Sequence, residues 1–306
     1  MLEQRVTRRE AMKKLLALGI GVTSLGACIP MSGPGTQPGL SRYDYFADDL
    51  PDASEIERVE QEFKTVKIYD RTGQHLLYEI TDPRGDRTYV PLERIPLHLR
   101  LGTIAVEDKN FYSNPGVDMA GIGRAFLANL QGESIQGGST ITMQLVKNVL
   151  IPPEERYELS YSRKVREALL AMEISRRYPG REGKDRILEW YLNTNFYGNN
   201  AYGVEAAAQV YFGKHVWELS LAESAMLVPL PQSPGVNPVS DPTAAERRQE
   251  IVLDTMVRQG YLTQEEADAA KKEELVIRPP SERYRMQAPL EERQPCPCHR
   301  RARGRH

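Results

Sequence analysis

The chain has 306 residues, of which 27% are charged and 40% hydrophobic, an ordinary composition for a globular protein long enough to bury a substantial core. A net charge of -2 and a pI near 6.3 argue against a dedicated nucleic-acid binder, which would normally carry a surplus of basic residues. All three cysteines (Cys28, Cys296 and Cys298) lie outside the part expected to fold, so neither a disulfide framework nor a zinc site is predicted.

The N-terminus has the pattern of an export signal. Arginines and lysines at positions 5–14 precede an apolar run over residues 15–25, which is shorter than the about 20 residues that span a bilayer comfortably. The following sequence LGAC resembles a bacterial lipobox and would make Cys28 a lipid anchor. The alternative is an uncleaved membrane anchor over residues 1–30. Both predict a body tethered at the extracytoplasmic face of the cytoplasmic membrane.

The next segments differ in composition. Residues 31–62 begin with a stretch rich in Pro, Gly, Ser and Asp and are expected to form a flexible spacer. Apolar and polar residues alternate over 66–80 about an Arg-Thr-Gly turn, which predicts a β-hairpin in a small β-containing segment, residues 63–98. Residues 99–280 have helical patterns almost throughout, so the fold class is expected to be mainly α.

Several later boundaries can be predicted. Capping boxes indicate helices beginning after Ser220 and after Thr263, the latter running to about Glu274. The proline-rich residues 229–242 are expected to form an extended connection. Residues 281–306 are expected to be a disordered basic tail, which could result from a truncated reading frame. Two helices are predicted from their apolar faces: residues 163–177, with Val165, Leu169, Met172 and Ile174, and residues 184–192, with Ile187, Leu188, Tyr191 and Leu192.

A pair of carboxylates is the first candidate for chemistry. Glu107 follows an apolar stretch on a predicted helix, and a carboxylate at the edge of a cleft, with a raised pKa, would suit general-base work. The alternative is an ordinary surface residue. Asp108 and Asp118 are expected to bond backbone donors of the turn at residues 114–116, and Phe111 is expected to lie in the core.

A run of hydroxyl residues that begins with glycines, residues 136–148 (QGGSTITMQLVKN), is the second candidate. Ser139 can cap the helix that follows, and a helix N-terminus also favours bound anions. Gln144, Lys147 and Asn148 then offer amide donors and one ammonium on one face. The alternative is a capped helix with a polar, exposed face.

Three cations and one carboxylate form the third candidate. Arg163, Lys164 and Arg166 precede Glu167 at a predicted helix start, where the helix dipole disfavours positive charge. An anion that bridges the cations would compensate for this. The alternative is a simple intrahelical ion pair between Arg163 and Glu167.

In order and spacing, these segments resemble the motifs of the bacterial peptidoglycan glycosyltransferases of family 51, which include monofunctional enzymes and the N-terminal half of class A penicillin-binding proteins. The resemblance covers roughly residues 64–289. Two positions depart from the family pattern: Asn114 replaces a histidine, and Met143 replaces a glutamine. The matching residues are Glu107, Asp108, Phe111, Gly116 and Asp118; Gly137 to Thr142, Gln144, Lys147 and Asn148; Arg163, Lys164 and Glu167; and Ile187, Leu188, Tyr191, Leu192 and Asn193.

The resemblance implies a mainly α, lysozyme-like, two-lobed glycosyltransferase domain that polymerises lipid II with release of undecaprenyl pyrophosphate. It implies that Glu107 is the general base and that Glu167 is a second catalytic residue, which would orient the cations or a metal, or help at the leaving group. No cofactor is required, and a divalent cation (Mg²⁺ or Mn²⁺) could assist at the pyrophosphate. The implied partners are lipid II, the lipid-linked glycan chain and the cytoplasmic membrane. Other cell-wall synthesis proteins could also be partners, whereas no nucleic-acid partner is expected. The implied substrate-binding residues are Asp108, Ser139, Thr140, Gln144, Lys147, Asn148, Arg163, Lys164 and Arg166.

Two other functions stay open from the sequence. A lysozyme-like glycan hydrolase would also use paired carboxylates in a helical cleft, but it would not need the cations. A non-catalytic lipoprotein could bind the cell wall without using Glu107 at all. The sequence has no S-x-x-K, S-x-N or K-T-G transpeptidase motif after residue 280, and it does not decide between a monofunctional enzyme and a truncated class A protein.

Overall fold

The structure is a computed structural model, and it describes residues 50–62, 66–72, 74, 76–80, 86–118, 121, 138–156 and 161–278. The predicted export signal, the lipid anchor Cys28, most of the spacer and the basic tail lie outside the described residues, as does Gly137. In the part of the chain that is described, no helix is both long enough and apolar enough to cross a membrane.

Helices dominate the described residues, so the mainly α prediction is confirmed and is consistent with a lysozyme-like fold. The predicted hairpin is also confirmed: β1 (Val66–Tyr69) pairs antiparallel with β2 (Leu76–Ile80). Two short strands, β3 (Asp86–Arg87) and β4 (Ala201–Tyr202), pair in parallel. The helices are α1 (Val59–Glu62), α2 (Leu97–Glu107), α3 (Ile141–Val149), α4 (Tyr161–Arg177), α5 (Gly180–Thr194), α6 (Val204–Phe212), α7 (Leu221–Leu227), α8 (Pro242–Arg258) and α9 (Gln264–Lys271).

The chain divides into two compact units. The first unit comprises Met1–Glu57 and Phe111–Lys184, and the second comprises Arg58–Asn110 and Asp185–His306. Helices α3 and α4 belong to the first unit. Helix α2, with Glu107 at its end, belongs to the second.

In the first unit, α4 packs against α3, and of the four residues predicted for its apolar face only Ile174 is fully buried. Val165 is 42% exposed, so its assignment to the apolar face was wrong, and Leu169 and Met172 are only half-buried. The buried face instead comprises Glu167, Leu170, Ala171 and Ile174, whose spacing of three, one and three residues forms one helical stripe. The prediction missed this face because a carboxylate lies in it.

In the second unit, α2, α7, α8 and α9 share one apolar core. The close approach of α2 requires Gly102, since a Cβ there would lie 3.1 Å from Val228 Cγ2 and 3.2 Å from Met256 Sδ. The predicted buried residues of α5 are confirmed, since Ile187, Leu188, Tyr191 and Leu192 are all 0% exposed.

Both predicted capping boxes are confirmed, one at Ser220 with Glu223 and one at Thr263 with Glu266, although the helix after Thr263 ends at Lys271. The extended connection predicted over residues 229–242 was wrong, because this stretch is a series of turns. The buried side chain of Asn237 makes the turns possible: its Oδ1 accepts from the backbone N–H groups of Val239 and Ser240, each at 3.1 Å.

Candidate functional site

Glu107 is the last residue of α2 and is half-buried. The apolar face of α2, which includes Leu99, Ile104 and Ala105, packs into the second unit and fixes the direction of the helix. Gln259 Nε2 also donates to Ala105 O at 2.7 Å, two residues before the carboxylate. Glu107 is therefore held by a rigid element rather than by a mobile loop.

Two buried tyrosines lie in the electrostatic field of Glu107. Burial raises the pKa of Tyr191 well above its ordinary value, and the nearby charge of Glu107 raises it further, while a hydrogen bond with Asn195 lowers it. Burial and then the charge of Glu107 also raise the pKa of Tyr197. Both phenols therefore stay protonated at neutral pH and add no negative charge beside Glu107.

The start of α3 is capped by Thr140 and not by Ser139, so the predicted cap was wrong by one residue. Thr140 Oγ1 accepts from Met143 N at 3.2 Å and donates to Gly116 O at 2.6 Å. Thr140 is 1% exposed, so its hydroxyl is part of the packing between α3 and the loop at residues 114–118. Ser139 instead accepts a hydrogen bond from Lys164 Nζ at 2.8 Å.

Glu167 is fully buried and organises two of the predicted cations. Its Oε1 accepts from Arg163 Nη1, and its Oε2 accepts from Lys164 Nζ at 2.8 Å. The intrahelical ion pair is therefore present, with a second cation on the same carboxylate. A buried carboxylate with two cationic donors is well placed to hold both cations in fixed positions.

Four cations lie close together in this region of the first unit. Burial lowers the pKa of Lys147, and the charges of Arg163 and Arg156 lower it further. Burial, followed by the charges of Arg163 and Lys147, lowers the pKa of Lys164 to about 8. We call Lys147, Arg156, Arg163 and Lys164 the cation cluster. An anion bound among them would relieve their mutual repulsion.

Arg156 was not among the predicted site residues. It follows α3, and its Nε donates to Ile151 O at 2.8 Å. Its sequence neighbourhood (PPEER) has no spacing that points to a site, and only the fold brings its charge near Lys147. Arg166, which was predicted to bind substrate, forms an ion pair with Glu155 at 2.8 Å.

The two departures from the family pattern have structural roles. Met143 is 1% exposed and belongs to the core of the first unit. Asn114 is buried, and its Oδ1 accepts from Gly116 N at 2.9 Å and from Lys184 Nζ at 3.1 Å. Lys184 is 5% exposed and also lies 4.9 Å from the centroid of the fully buried Phe111 ring. The sequence did not indicate this contact, because 70 residues separate Asn114 from Lys184.

The remaining predicted residues fall in both units. Gln144, Lys147 and Asn148 are half-buried on α3, where Gln144 N donates to Thr140 O at 3.0 Å. Asp108 is 7% exposed and belongs to the second unit with Glu107. Asp118 is half-buried in the first unit. No group of three or more His, Cys, Asp or Glu side chains that could hold a metal ion occurs within the described ranges.

Comparisons with known proteins agree with these features. The family model described as Transglycosylase matches residues 73–257, more than half of the chain. Penicillin-binding protein 1A of Aquifex aeolicus (strain VF5) is 44% identical over 214 residues, which cover 69% of this chain and 28% of that protein. Penicillin-binding protein 1A of Pseudomonas aeruginosa is 38% identical over 249 residues, covering 81% of this chain and 28% of that protein.

The chain spans less than a third of the length of these curated relatives. Among solved structures, Penicillin-Binding Protein 1A from Haemophilus influenzae matches with a TM-score of 0.38 and 26% identity, covering 71% of this chain and 21% of that chain. The family assignment therefore depends on the family model and on the sequence relatives.

Proposed function

This chain belongs to the transglycosylase family and carries its peptidoglycan glycosyltransferase domain, and from that premise we propose that it polymerises lipid II into glycan strands. The cation cluster beside the buried Glu167 is the observation that supports this proposal most strongly. A transferase that expels a diphosphate has to stabilise the negative charge that develops on it, and fixed cations are the usual means.

In the proposed reaction, the 4-hydroxyl oxygen of the acceptor sugar attacks C1 of the donor sugar, with inversion at that carbon. The bond between C1 and the pyrophosphate oxygen breaks, and undecaprenyl pyrophosphate leaves. Glu107 takes the proton of the attacking hydroxyl. Its position at the end of a packed helix supports this role, because a general base has to be held within hydrogen-bond reach of its proton.

Each cation has its own part in the proposal. Glu167 is a positioning residue: it holds Arg163 and Lys164 so that both can contact the pyrophosphate. Lys147 and Arg156 add charge to the same anion-binding region. Ser139, Gln144 and Asn148 are proposed to contact the sugar or the phosphate, as is Asp108. Arg166 is also proposed to bind substrate, with its guanidinium held by the ion pair with Glu155.

The lysozyme-like hydrolase remains the second candidate, and the cation cluster disfavours it. The leaving group of a hydrolase is a sugar hydroxyl, which needs a proton donor and not a set of cations.

We also propose that the protein is held at the extracytoplasmic face of the membrane, through Cys28 or through an uncleaved N-terminal helix. Lipid II does not leave the bilayer, so an anchored enzyme would remain near its substrate.

The test is polymerisation of labelled lipid II in detergent or vesicles by the full chain and by Glu107→Gln, with and without Mg²⁺ or Mn²⁺. A loss of about 10²–10⁴-fold in rate is expected, as for the removal of a general base. Glu246→Gln, an exposed carboxylate on α8, is the matched control and should keep full activity. Equal product from the Glu107 variant and the wild type would refute the base assignment. Digestion of finished cell wall by the wild type, with no polymerisation, would support the hydrolase.

A further inference from the structure

A buried asparagine holds the loop at residues 114–118 in place. Asn114 is 8% exposed, and its Oδ1 accepts from Gly116 N at 2.9 Å and from Lys184 Nζ at 3.1 Å. Lys184 lies on α5 and is itself buried, so its ammonium donates to this oxygen away from solvent. Hydrogen bonds from a charged donor are roughly twice as strong as those between neutral groups. Two donors, one from the loop and one from α5, therefore fix the position of the Asn114 side chain.

Gly116 connects this loop to both helices that carry the cation cluster. Its φ is 98°, and a Cβ there would lie 2.3 Å from the carbonyl oxygen of Ala171, so a residue with a side chain does not fit against α4. Ala171 lies about one turn after Glu167 on that helix. Gly116 O also accepts from Thr140 Oγ1 at 2.6 Å, and the same hydroxyl caps α3. The position of Gly116 therefore influences the position of the α3 cap.

Ser139 directly precedes the cap and contacts the cation cluster. Its Oγ accepts from Lys164 Nζ at 2.8 Å, and the same ammonium donates to Glu167 Oε2 at 2.8 Å. The two acceptors come from different elements, since Ser139 lies before α3 and Glu167 lies on α4. All of these residues belong to the first unit. A shift of the α3 cap would displace the Ser139 hydroxyl, and the ammonium would lose one of the acceptors that direct it.

We propose that Asn114 is a positioning residue of the anion-binding region, which acts through Gly116 and Thr140 to hold Ser139 against Lys164. The inference rests on the proposed function, in which the cation cluster binds the pyrophosphate leaving group. Asn114 does not have to touch the substrate for this role. Its amide oxygen accepts from both donors without titrating, so the support that it gives to Ser139 does not depend on its own protonation.

A double-mutant cycle on the full chain tests the proposed path, with inorganic pyrophosphate as the probe in isothermal titration calorimetry. Asn114→Ala should weaken the affinity for pyrophosphate by about fivefold in the wild-type background. In the Ser139→Ala background the same substitution should change the affinity by less than about twofold, because the hydroxyl through which it acts is already absent. Asn114→Asp keeps an accepting oxygen and should stay within about twofold of the wild-type affinity.

Two further variants separate positioning from a general loss of stability. Asn114→Ser keeps a short acceptor for Gly116 N but does not extend to Lys184, so it should fold even if the alanine variant does not. It should weaken the affinity by about threefold, again only when Ser139 is present. The matched control is Asn237→Ala in the second unit, because Asn237 is also buried and also accepts from the N–H two residues ahead, that of Val239. This control should lower the free energy of unfolding and leave the affinity for pyrophosphate unchanged.

Three outcomes would overturn the inference: unchanged affinity in a folded Asn114→Ala or Asn114→Ser variant, equal effects with and without the Ser139 hydroxyl, or an equal loss of affinity in Asn237→Ala. Absence of pyrophosphate binding by the wild type would overturn it as well. Polymerisation of lipid II by the wild type decides the proposed function separately. A wild type that polymerises lipid II, with an Asn114→Ala variant of unchanged affinity, would refute this inference alone.

Discussion

Lys164 Nζ lies 2.8 Å from the buried carboxylate oxygen Oε2 of Glu167, yet the pKa of this lysine is lowered to about 8. Burial is the largest cause, and the charges of Arg163 and Lys147 follow. The ion pair with Glu167 therefore does not offset the desolvation of Lys164 and its repulsion by neighbouring cations. Such a group binds an anion best while it is protonated, which makes the site sensitive to pH in the alkaline range.

The first prediction concerns this pH dependence. The affinity for inorganic pyrophosphate should fall as pH rises from 7 to 9, because Lys164 loses its proton near pH 8. Lys164→Arg should remove the inflection near pH 8, since an arginine stays charged throughout this range. Calorimetric titration of both proteins at several pH values measures the effect. The same inflection in the variant would show that another group is responsible.

Over part of this pH range the free energy of unfolding should rise, whereas the affinity for pyrophosphate falls. Above pH 8 the folded Lys164 has released its proton, whereas the unfolded chain keeps it up to the ordinary pKa of 10.5. The unfolded state then binds more protons, so the free energy of unfolding should rise with pH between about 8 and 10 relative to Lys164→Arg. Urea denaturation of both proteins across this range measures it, and parallel pH profiles would contradict the prediction.

A second prediction concerns the carboxylate of Glu167. Glu167→Gln removes the carboxylate charge that pairs with both Arg163 and Lys164. The free energy of unfolding should fall by about 2 kcal/mol, which is less than for a fully enclosed ion pair because Lys164 is partly exposed. We also expect weaker pyrophosphate binding, because the cations lose their fixed positions. Glu173→Gln breaks an exposed pair with Arg176 on the same helix and should cost less than about 0.5 kcal/mol. Similar losses in the two variants, measured by urea denaturation, would rule out a special role for Glu167.

A third prediction separates Thr140 from Ser139. Thr140→Val removes the cap of α3 and the hydrogen bond to Gly116 O, so the free energy of unfolding should fall by about 1–3 kcal/mol. Ser139→Ala removes only a contact with Lys164 and should cost about 0.5 kcal/mol or less. Denaturant titrations compare the two variants. A larger loss for Ser139→Ala would mean that Ser139 is the true cap.

The fourth prediction concerns the buried acceptor at Asn114. Asn114→Leu removes the oxygen that accepts from the Gly116 N–H and from the Lys184 ammonium, and the loss of each of these buried hydrogen bonds should lower the free energy of unfolding by about 1–3 kcal/mol. Asn114→Asp keeps an acceptor of the same shape, so its free energy of unfolding should stay within about 1 kcal/mol of the wild-type value. Thermal or urea unfolding of both variants tests this, and equal stability of the leucine and aspartate variants would disprove the contact with Lys184.

The sequence predicted the helical class, the hairpin and both capping boxes because each depends on neighbouring residues. Glu167, Arg163 and Lys164 were also correctly grouped, since residues three and four apart meet on one helix. The errors occurred where a partner lies far along the chain. Thr140 is the cap because its hydroxyl also reaches Gly116, 24 residues away, and no local pattern distinguishes it from Ser139.

By itself, the sequence determined the family, the order of its motifs and the residue types available for catalysis, because these properties are encoded in local spacing. Only the tertiary structure decided which side chains are buried and which charges meet. It brought Arg156 to Lys147, placed Lys184 on Asn114 and buried Glu167 in the stripe of α4. Burial and distance set the strength of an electrostatic interaction, and both are properties of the folded chain.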